Sequence, residues 1–362
     1  MSHSIDRPFV YALAILFVGG MLILASASVV MAQKNFGSVF FYTFRQFLYG
    51  GIIGGAALLT TQWIPYRAWK KLALPMMIVS FVLLAFLFIP HISYSAGGAR
   101  RWLQFGFFSF QPSEVLKFAF VVYLASWLDA RRGQVKSVSY GMLPFSLMLA
   151  VVGIFLVMEP DIGTLGVVIG TAVLLYFLGG GKISQIATLC MLGLAVLYLL
   201  VQLAPYRLSR ILVFLQPGLD PRGIGYQINQ AFIAIGSGGF WGLGFGKSLQ
   251  KYSYLPEPMG DSIFAIFAEE TGFIGVAAFV VLMGFLLWRG MLIARRAPDT
   301  FGKLLASGII IGVMVQSFIN IAAISGLLPL TGIPLPLVSY GGTSLAITLA
   351  GFGVLLNISK YG

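Results

Sequence analysis

The sequence predicts an all-α polytopic membrane protein of ten transmembrane helices, and two observations carry that prediction. Hydrophobic residues make up 59% of the 362 residues and charged residues only 9%, against roughly 25% charge in a soluble domain. The apolar residues are also gathered into ten stretches near 8–31, 44–64, 72–90, 112–129, 141–158, 162–181, 183–203, 263–288, 304–325 and 341–358, each close to the length of about 20 residues that a helix needs to cross a bilayer. This composition excludes a soluble enzyme, a disordered chain and a nucleic-acid binder, because the net charge of +12 comes from basic residues in connections that flank the membrane. One cysteine, Cys190, excludes a disulfide framework. Two histidines, His3 and His91, supply too few ligands for a zinc site and little material for a Ser-His-Asp triad.

Taken in order, the stretch at 8–31 exceeds the apolar core of about 7–15 residues of a cleavable signal and counts as a span. The second opens with Arg45, and the third follows Arg67, Lys70 and Lys71. The fourth carries Glu114 and Lys117 one turn apart on one face. Only Glu159-Pro160-Asp161 separates the fifth from the sixth, and Lys182 precedes the seventh. Thirteen Lys and Arg against three acids (Asp6, Asp129 and Asp299) fall on one face, which marks that face as cytoplasmic with both chain ends on it. Residues 1–362 then form one integral membrane domain, and 204–262 is a long outer loop between helices 7 and 8. Loops this long are uncommon unless functional. Its segment Tyr226–Ile235 reads as a short amphipathic helix ended by Gly236 and Gly238.

Ionisable groups inside spans cost several kcal/mol unless paired or wet, so each is a candidate site residue. Arg45, Glu114, Lys117, Asp161, Asp261, Glu269 and Glu270 all fall in the outer half of the predicted spans. That asymmetry points to a site opening on the outer leaflet. Simpler roles compete: Arg45, Arg100 and Arg101 as headgroup anchors, Lys117 as a structural partner of Asp161 or Glu114, and Glu269 and Glu270 as anions at the N-terminus of the eighth span.

Five strings then carry a resemblance. They are Gln111-Pro-Ser-Glu-Val-Leu-Lys117; Glu159-Pro-Asp-Ile-Gly-Thr164; Gly242-Leu-Gly-Phe-Gly-Lys-Ser-Leu-Gln-Lys251 running into Tyr254-Leu-Pro-Glu257; Asp261-Ser-Ile-Phe-Ala265 with Glu269-Glu270-Thr-Gly272; and Leu328-Pro-Leu-Thr-Gly332 with Leu335-Pro-Leu-Val-Ser-Tyr-Gly-Gly-Thr-Ser344. In this order on a ten-span chain they resemble the SEDS family (shape, elongation, division, sporulation), which includes FtsW, RodA and SpoVE. The string from Gly244 to Glu257 is closest to the FtsW form. Two motifs depart from the family: Glu159 stands for Gln, and around the aspartate Met259-Gly260 stands for His-Thr and Ser262 for Phe.

The resemblance implies a peptidoglycan glycosyltransferase that polymerises lipid II on the outer face of the cytoplasmic membrane, in cell division or cell-shape wall synthesis. Asp261 matches the family's catalytic aspartate. A sugar hydroxyl attacking a lipid-linked sugar needs a base within about 2.6–3.2 Å, and the leaving undecaprenyl pyrophosphate needs fixed cations. Arg45, Arg101 and Lys251 are the first phosphate candidates, with Arg100 and Lys247 beside them. Lys117 and Asp161 are expected to form a paired cavity wall. Gln250, Glu257 and Ser339 complete the expected substrate contacts. No metal ligand set is expected, although pyrophosphate and acidic groups admit a shared divalent cation, Mg or Mn. The implied partners are a class B penicillin-binding protein, other divisome or elongasome membrane proteins and membrane lipids. A lipid II flippase and a non-catalytic scaffold are the competing readings; a flippase path would need polar groups through the inner half of the spans, where this sequence has almost none.

Overall fold

The computed structural model describes residues 4–362 except 90–92, 97–98, 106–107, 203–204, 217, 219, 221–222 and 253. A helix covers each of the apolar stretches. α1 (Arg7–Phe36) starts where the Asp6 carboxylate accepts from Phe9 N at 3.0 Å and ends on Gly37 with φ 67°. These are side-chain and left-handed caps that satisfy otherwise orphaned backbone groups. The second stretch is α2 (Phe41–Gln46) and α3 (Ile53–Trp63), joined by a π-helical segment, Phe47–Ile52. α4 (Tyr66–Ala85) starts six residues earlier than the hydropathy pattern indicates. Pro65 sets its start, and Arg67, Lys70 and Lys71 occupy its first turns, where long basic side chains reach out to water.

Then follow α5 (Pro112–Ala130), α6 (Leu143–Met158), α7 (Ile162–Leu178) and α8 (Ile183–Gln202). Among the described residues, seven helices are long and apolar enough to cross a bilayer: α1, Tyr66–Phe88, Val138–Met158, α8, α11 (Ile263–Arg296), α12 (Thr300–Ile324) and α13 (Gly342–Ser359). α7 is apolar but only 17 residues long. α5 carries Glu114, Lys117 and Asp129 within 19 residues, and the second stretch is interrupted by its π-helical turn.

Two features depart from the sequence reading. The all-α expectation is corrected by a three-stranded antiparallel sheet of β1 (Ser93–Ala96), β2 (Ala99–Phe105) and β3 (Phe108–Phe110), with Leu103 of β2 paired to both Ser93 and Phe110. The connection 204–262 contains two helices, α9 (Pro205–Leu215) and α10 (Ile224–Gly238). α10 runs through Gly236 and Gly238 and stops at Gly239, with φ 53°.

α13 and α12 are the most enclosed of the long helices, with 67% and 56% of their apolar windows buried, whereas α8 is 11% buried and lies at the rim. α13 packs against α3 at Gly353, where Thr61 Oγ1 and Leu58 O leave no room for a Cβ. Polar contacts define two ends. At one, Arg289 Nη2 meets Asp6 Oδ2 at 2.5 Å, Asp6 N donates to Ser359 Oγ, Lys360 Nζ donates to Gln62 O, and Arg67 pairs with Asp299. Asp6 and the C-terminal Ser359 and Lys360 therefore lie together with the basic connections. The loops carrying Asp161, Asp261 and Ser339 lie at the other end.

α11 is broken at Gly272 (φ 63°, ψ −165°). A glycine-rich loop fills the break. Phe273 N donates to Gly239 O, Ile274 N to Phe240 O, Leu243 N to Glu269 O and Gly244 N to Glu270 O, at 2.9–3.3 Å. Freed backbone groups in a membrane helix persist only where such partners re-satisfy them.

Candidate active site

Asp261 lies two residues before α11, in a loop held by main-chain contacts from three directions. Asn320 of α12 donates to Asp261 O at 2.9 Å and to Ile333 O at 2.8 Å. Ser339 Oγ donates to Gly260 O at 2.7 Å and accepts from Leu335 N at 2.8 Å. Tyr340 N donates to Met259 O at 2.9 Å. Gln46 Nε2 donates to Ser339 O at 3.3 Å, and its Oε1 accepts from Gly341 N at 3.0 Å. Every hydrogen bond to residues 259 and 260 here uses a backbone carbonyl. The loop therefore keeps its shape with Met-Gly where the family pattern has His-Thr.

The Asp261 carboxylate receives Gln227 Nε2 of α10 at 3.3 and 3.4 Å, and Gly332 lies beside it. Burial and the nearby Glu257 push the Asp261 carboxyl up to about 6, against the pull of Gln227 and Arg210. At neutral pH it is ionised and much more basic than an exposed aspartate, as a general base requires. Glu257 is exposed and has φ 48°, and Leu337 has φ 66°. Strained non-glycine backbone of this kind costs about 1–3 kcal/mol per residue and gathers at functional loops.

Arg45 is half-buried, stands 5.7 Å from the Tyr49 ring centroid and acts electrostatically on Tyr340, the residue after Ser339. Tyr42 packs edge-on against the same Tyr340 ring at 5.2 Å. Arg45 and Ser339 thus belong to the assembly around Asp261. Lys247 is exposed on the glycine-rich loop. Gln250 donates its backbone N–H to Glu269 at 3.4 Å.

Four expectations are corrected. Lys251 is not a phosphate ligand in this structure. It is 3% exposed, and its Nζ donates to Glu270 Oε1 (2.9 Å), Ser26 Oγ (3.0 Å) and Gly246 O (2.6 Å), so all three protons are engaged. Glu269 and Glu270, read as anions capping the N-terminus of the eighth span, instead bind the turn at 248–251 through Ser248, Leu249, Gln250 and Lys251. Arg101 turns its guanidinium onto the carbonyls of Glu159 and Pro160, capping the end of α6. Arg100 is also on β2, and its side chain lies outside the described residues.

The fourth correction concerns Lys117 and Asp161. Lys117 Nζ pairs with Glu114 at 2.9 Å and donates to Gln316 at 2.5 Å. Asp161 is the N-cap of α7, accepting from Thr164 N at 3.2 Å and from Ser113 Oγ at 3.4 Å. Glu114, Lys117 and Gln316 line one part of a cavity of about 70 Å³ between α5, α7, α12 and α13, together with Thr171, whose hydroxyl is buried without a partner. That volume accommodates about two waters. Lys117→Ala is therefore expected to cost about 3 kcal/mol by stranding Glu114. A double-mutant cycle on melting temperature should show coupling to Glu114→Gln and additivity with Asp161→Asn.

Beside these, Glu159 is 2% exposed and neither carboxyl oxygen has a partner. Burial, reinforced by Asp161, raises its carboxyl to about 9 against the opposing Arg101. It is neutral at pH 7 and so takes the place of the family's Gln without introducing a charge. Sequence reasoning missed Gln227, Asn320 and Arg210. Asn320, an amide inside an apolar run, carried a usable signal; Gln227 and Arg210 sit in a loop whose two helices set their direction.

Comparison with known proteins bears on this arrangement. Stage V sporulation protein E of Bacillus subtilis (strain 168) is 40% identical over 358 residues, covering 99% of this chain and 98% of that protein. The probable peptidoglycan glycosyltransferase FtsW of Geobacter sulfurreducens (strain DL-1 / KN400) is 41% identical over 343 residues, covering 94% and 91%. Among solved structures, a chain from work on the structural coordination of polymerization and crosslinking by a peptidoglycan synthase complex superimposes with a TM-score of 0.79 at 28% identity, covering 98% of each chain. The rod shape determining protein RodA of Thermus thermophilus gives 0.71 at 29% identity, covering 98% and 97%. Residues 7–362 match the family described as cell cycle protein. With fold, length and motif order in agreement, this chain belongs to the FtsW/RodA/SpoVE family.

Proposed function

We propose that this chain is a peptidoglycan glycosyltransferase that polymerises lipid II on the outer face of the cytoplasmic membrane, with Asp261 as general base. The observation that carries the reading is the setting of Asp261: a half-enclosed, ionised carboxylate of raised basicity on a loop pinned by α12 and the 328–340 segment. The names of the relatives supply the substrate class. The ten helices cross the membrane ten times, with both chain ends cytoplasmic. The clustering of Asp6, Ser359 and Lys360 with the basic connections, opposite Asp261, supports that orientation.

In the reaction the acceptor hydroxyl gives its proton to Asp261 as its oxygen bonds to the anomeric carbon of the donor. The bond from that carbon to the pyrophosphate oxygen breaks, and the electron pair leaves with undecaprenyl pyrophosphate. Among the described phosphate candidates, Arg45 and the exposed Lys247 would meet the leaving group, where fixed cations stabilise the developing charge. Among the described residues no three His, Cys, Asp or Glu are grouped to hold a metal ion. A divalent cation, Mg or Mn, would thus share the substrate's pyrophosphate with acidic groups such as Glu257. A class B penicillin-binding protein is the partner that would crosslink the product, as the synthase complex among the structural relatives suggests.

The test is conversion of labelled lipid II to glycan ladders by purified protein, with and without a transpeptidase partner, across pH 5–8. An ionised base is required, so the rate is expected to fall about tenfold per pH unit below about 6 and to level off above it. A flat profile through this range would remove Asp261 as the proton acceptor. No ladder in either condition, with lipid II flipping in liposomes instead, would replace the polymerase by a transporter.

A further inference from the structure

Gln227 reaches the base from the first turns of α10, a helix of the outer loop. Its Nε2 lies 3.3 and 3.4 Å from the two Asp261 oxygens and 3.0 Å from Ser262 Oγ. An amide nitrogen has two protons and no acceptor capacity, so this contact favours the charged carboxylate and restricts its rotation. The far end of α10 is locked: Gly238 abuts the backbone of Ala268 and Glu269 without room for a Cβ, and the Phe232 ring closes over Gly326. Gln227 is thus held over Asp261 by a helix seated on α11 and on the turn after α12.

Among the described residues, few other groups act on Asp261. Glu257 of its own loop opposes its charge, and Arg210 of α9, which also donates to Leu330 O at 2.7 Å, favours it. α12 contributes the neutral Asn320, and the 328–340 segment, which has no ionisable side chain besides Tyr340, lies alongside through Gly332.

We propose that Gln227 is a positioning residue for Asp261, fixing the direction in which the carboxylate faces the acceptor hydroxyl and stabilising its negative charge. Resting on the general-base reading above, this couples the seating of an outer-loop helix to the proton acceptor. A partner or substrate that shifts α10 by a fraction of a turn would switch the base without touching it.

The experiment measures kcat/KM for lipid II polymerisation against pH in wild type, Gln227→Met and Gln227→Lys. Methionine keeps the length and loses the donor; lysine keeps a donor and adds a charge. The acid midpoint is expected to rise by about one pH unit in Gln227→Met and to fall to or below the wild-type value in Gln227→Lys. Reduced rates with an unmoved midpoint in both variants would overturn the proposal and leave Gln227 a packing residue. If Gln227→Met does not fold, Gln227→Lys carries the test alone: a midpoint above that of wild type overturns it. An acid limb that persists in Asp261→Asn would overturn the general-base reading itself, a result distinct from failure at Gln227 alone.

Discussion

Asp261→Asn is expected to abolish glycan polymerisation while leaving the protein folded. General-base catalysis contributes roughly 10²–10⁴-fold, and an amide at this position has no proton-accepting oxygen of comparable basicity. The fold should survive because the loop is held through backbone carbonyls and through Asn320 and Ser339, none of which involves the Asp261 carboxylate. Asn also retains an oxygen for the Gln227 amide. Gel-resolved glycan ladders from labelled lipid II, read beside melting temperature in detergent, separate the two quantities. Wild-type melting with no ladder supports the assignment. Ladders of wild-type intensity would move the base elsewhere, with Glu257 the neighbouring carboxylate to test.

The second large effect is expected at Lys251, and it is one of stability. Lys251→Met strands Glu270, which is 4% exposed and bonded at 2.6 Å to Ser26 of α1. Removing one partner of a buried ion pair costs about 3–5 kcal/mol, because the remaining charge stays in a low-dielectric interior. The turn at 248–251 is held on the Glu269 and Glu270 carboxylates just before the break at Gly272, so the loss should loosen the segment leading into Asp261. Adding Glu270→Gln should return part of the stability by removing the stranded charge. A phosphate ligand would behave differently: Lys251→Met would raise KM for lipid II with the melting temperature unchanged. Thermal unfolding of the single and double variants decides between them.

Much of the helical scaffold is legible in the residues because the bilayer imposes a simple requirement, an apolar run of sufficient length. Asp261 is legible through its motif. That Glu114 and Lys117 share a face is legible as well, since they are three apart on a helix, although the partner expected for Lys117 is Asp161. What the sequence conceals is non-local. The partner of Lys251 stands at Ser26, 225 residues away, and a lysine beside a glycine-rich string reads as a phosphate ligand until α1 is seen against it. Arg101 points to carbonyls rather than to solvent because β2 runs past the turn at Glu159, and three short strands between apolar helices leave too brief an alternation to detect. α9 is hidden for a related reason: a basic, Pro-led segment of 11 residues resembles a connection until it packs.

The hydrogen bond from Asn320 to the Asp261 carbonyl makes α12 a depth gauge. α12 begins at Asp299, the N-cap beside Arg67, and Asn320 lies 21 residues above that cap. At about 1.5 Å per residue the amide stands about 30 Å from the basic end, which is close to the hydrocarbon thickness of a typical bilayer. On the proposed reading, Asp261 is tethered at the altitude where an isoprenoid tail gives way to its pyrophosphate. A chemical centre on a soluble domain would wait above the lipids for its substrate to protrude. Here the elevation of the carboxylate is set by counting helical turns, and on the proposed reading a sugar joined through pyrophosphate to a membrane-embedded carrier would meet it without leaving the bilayer surface.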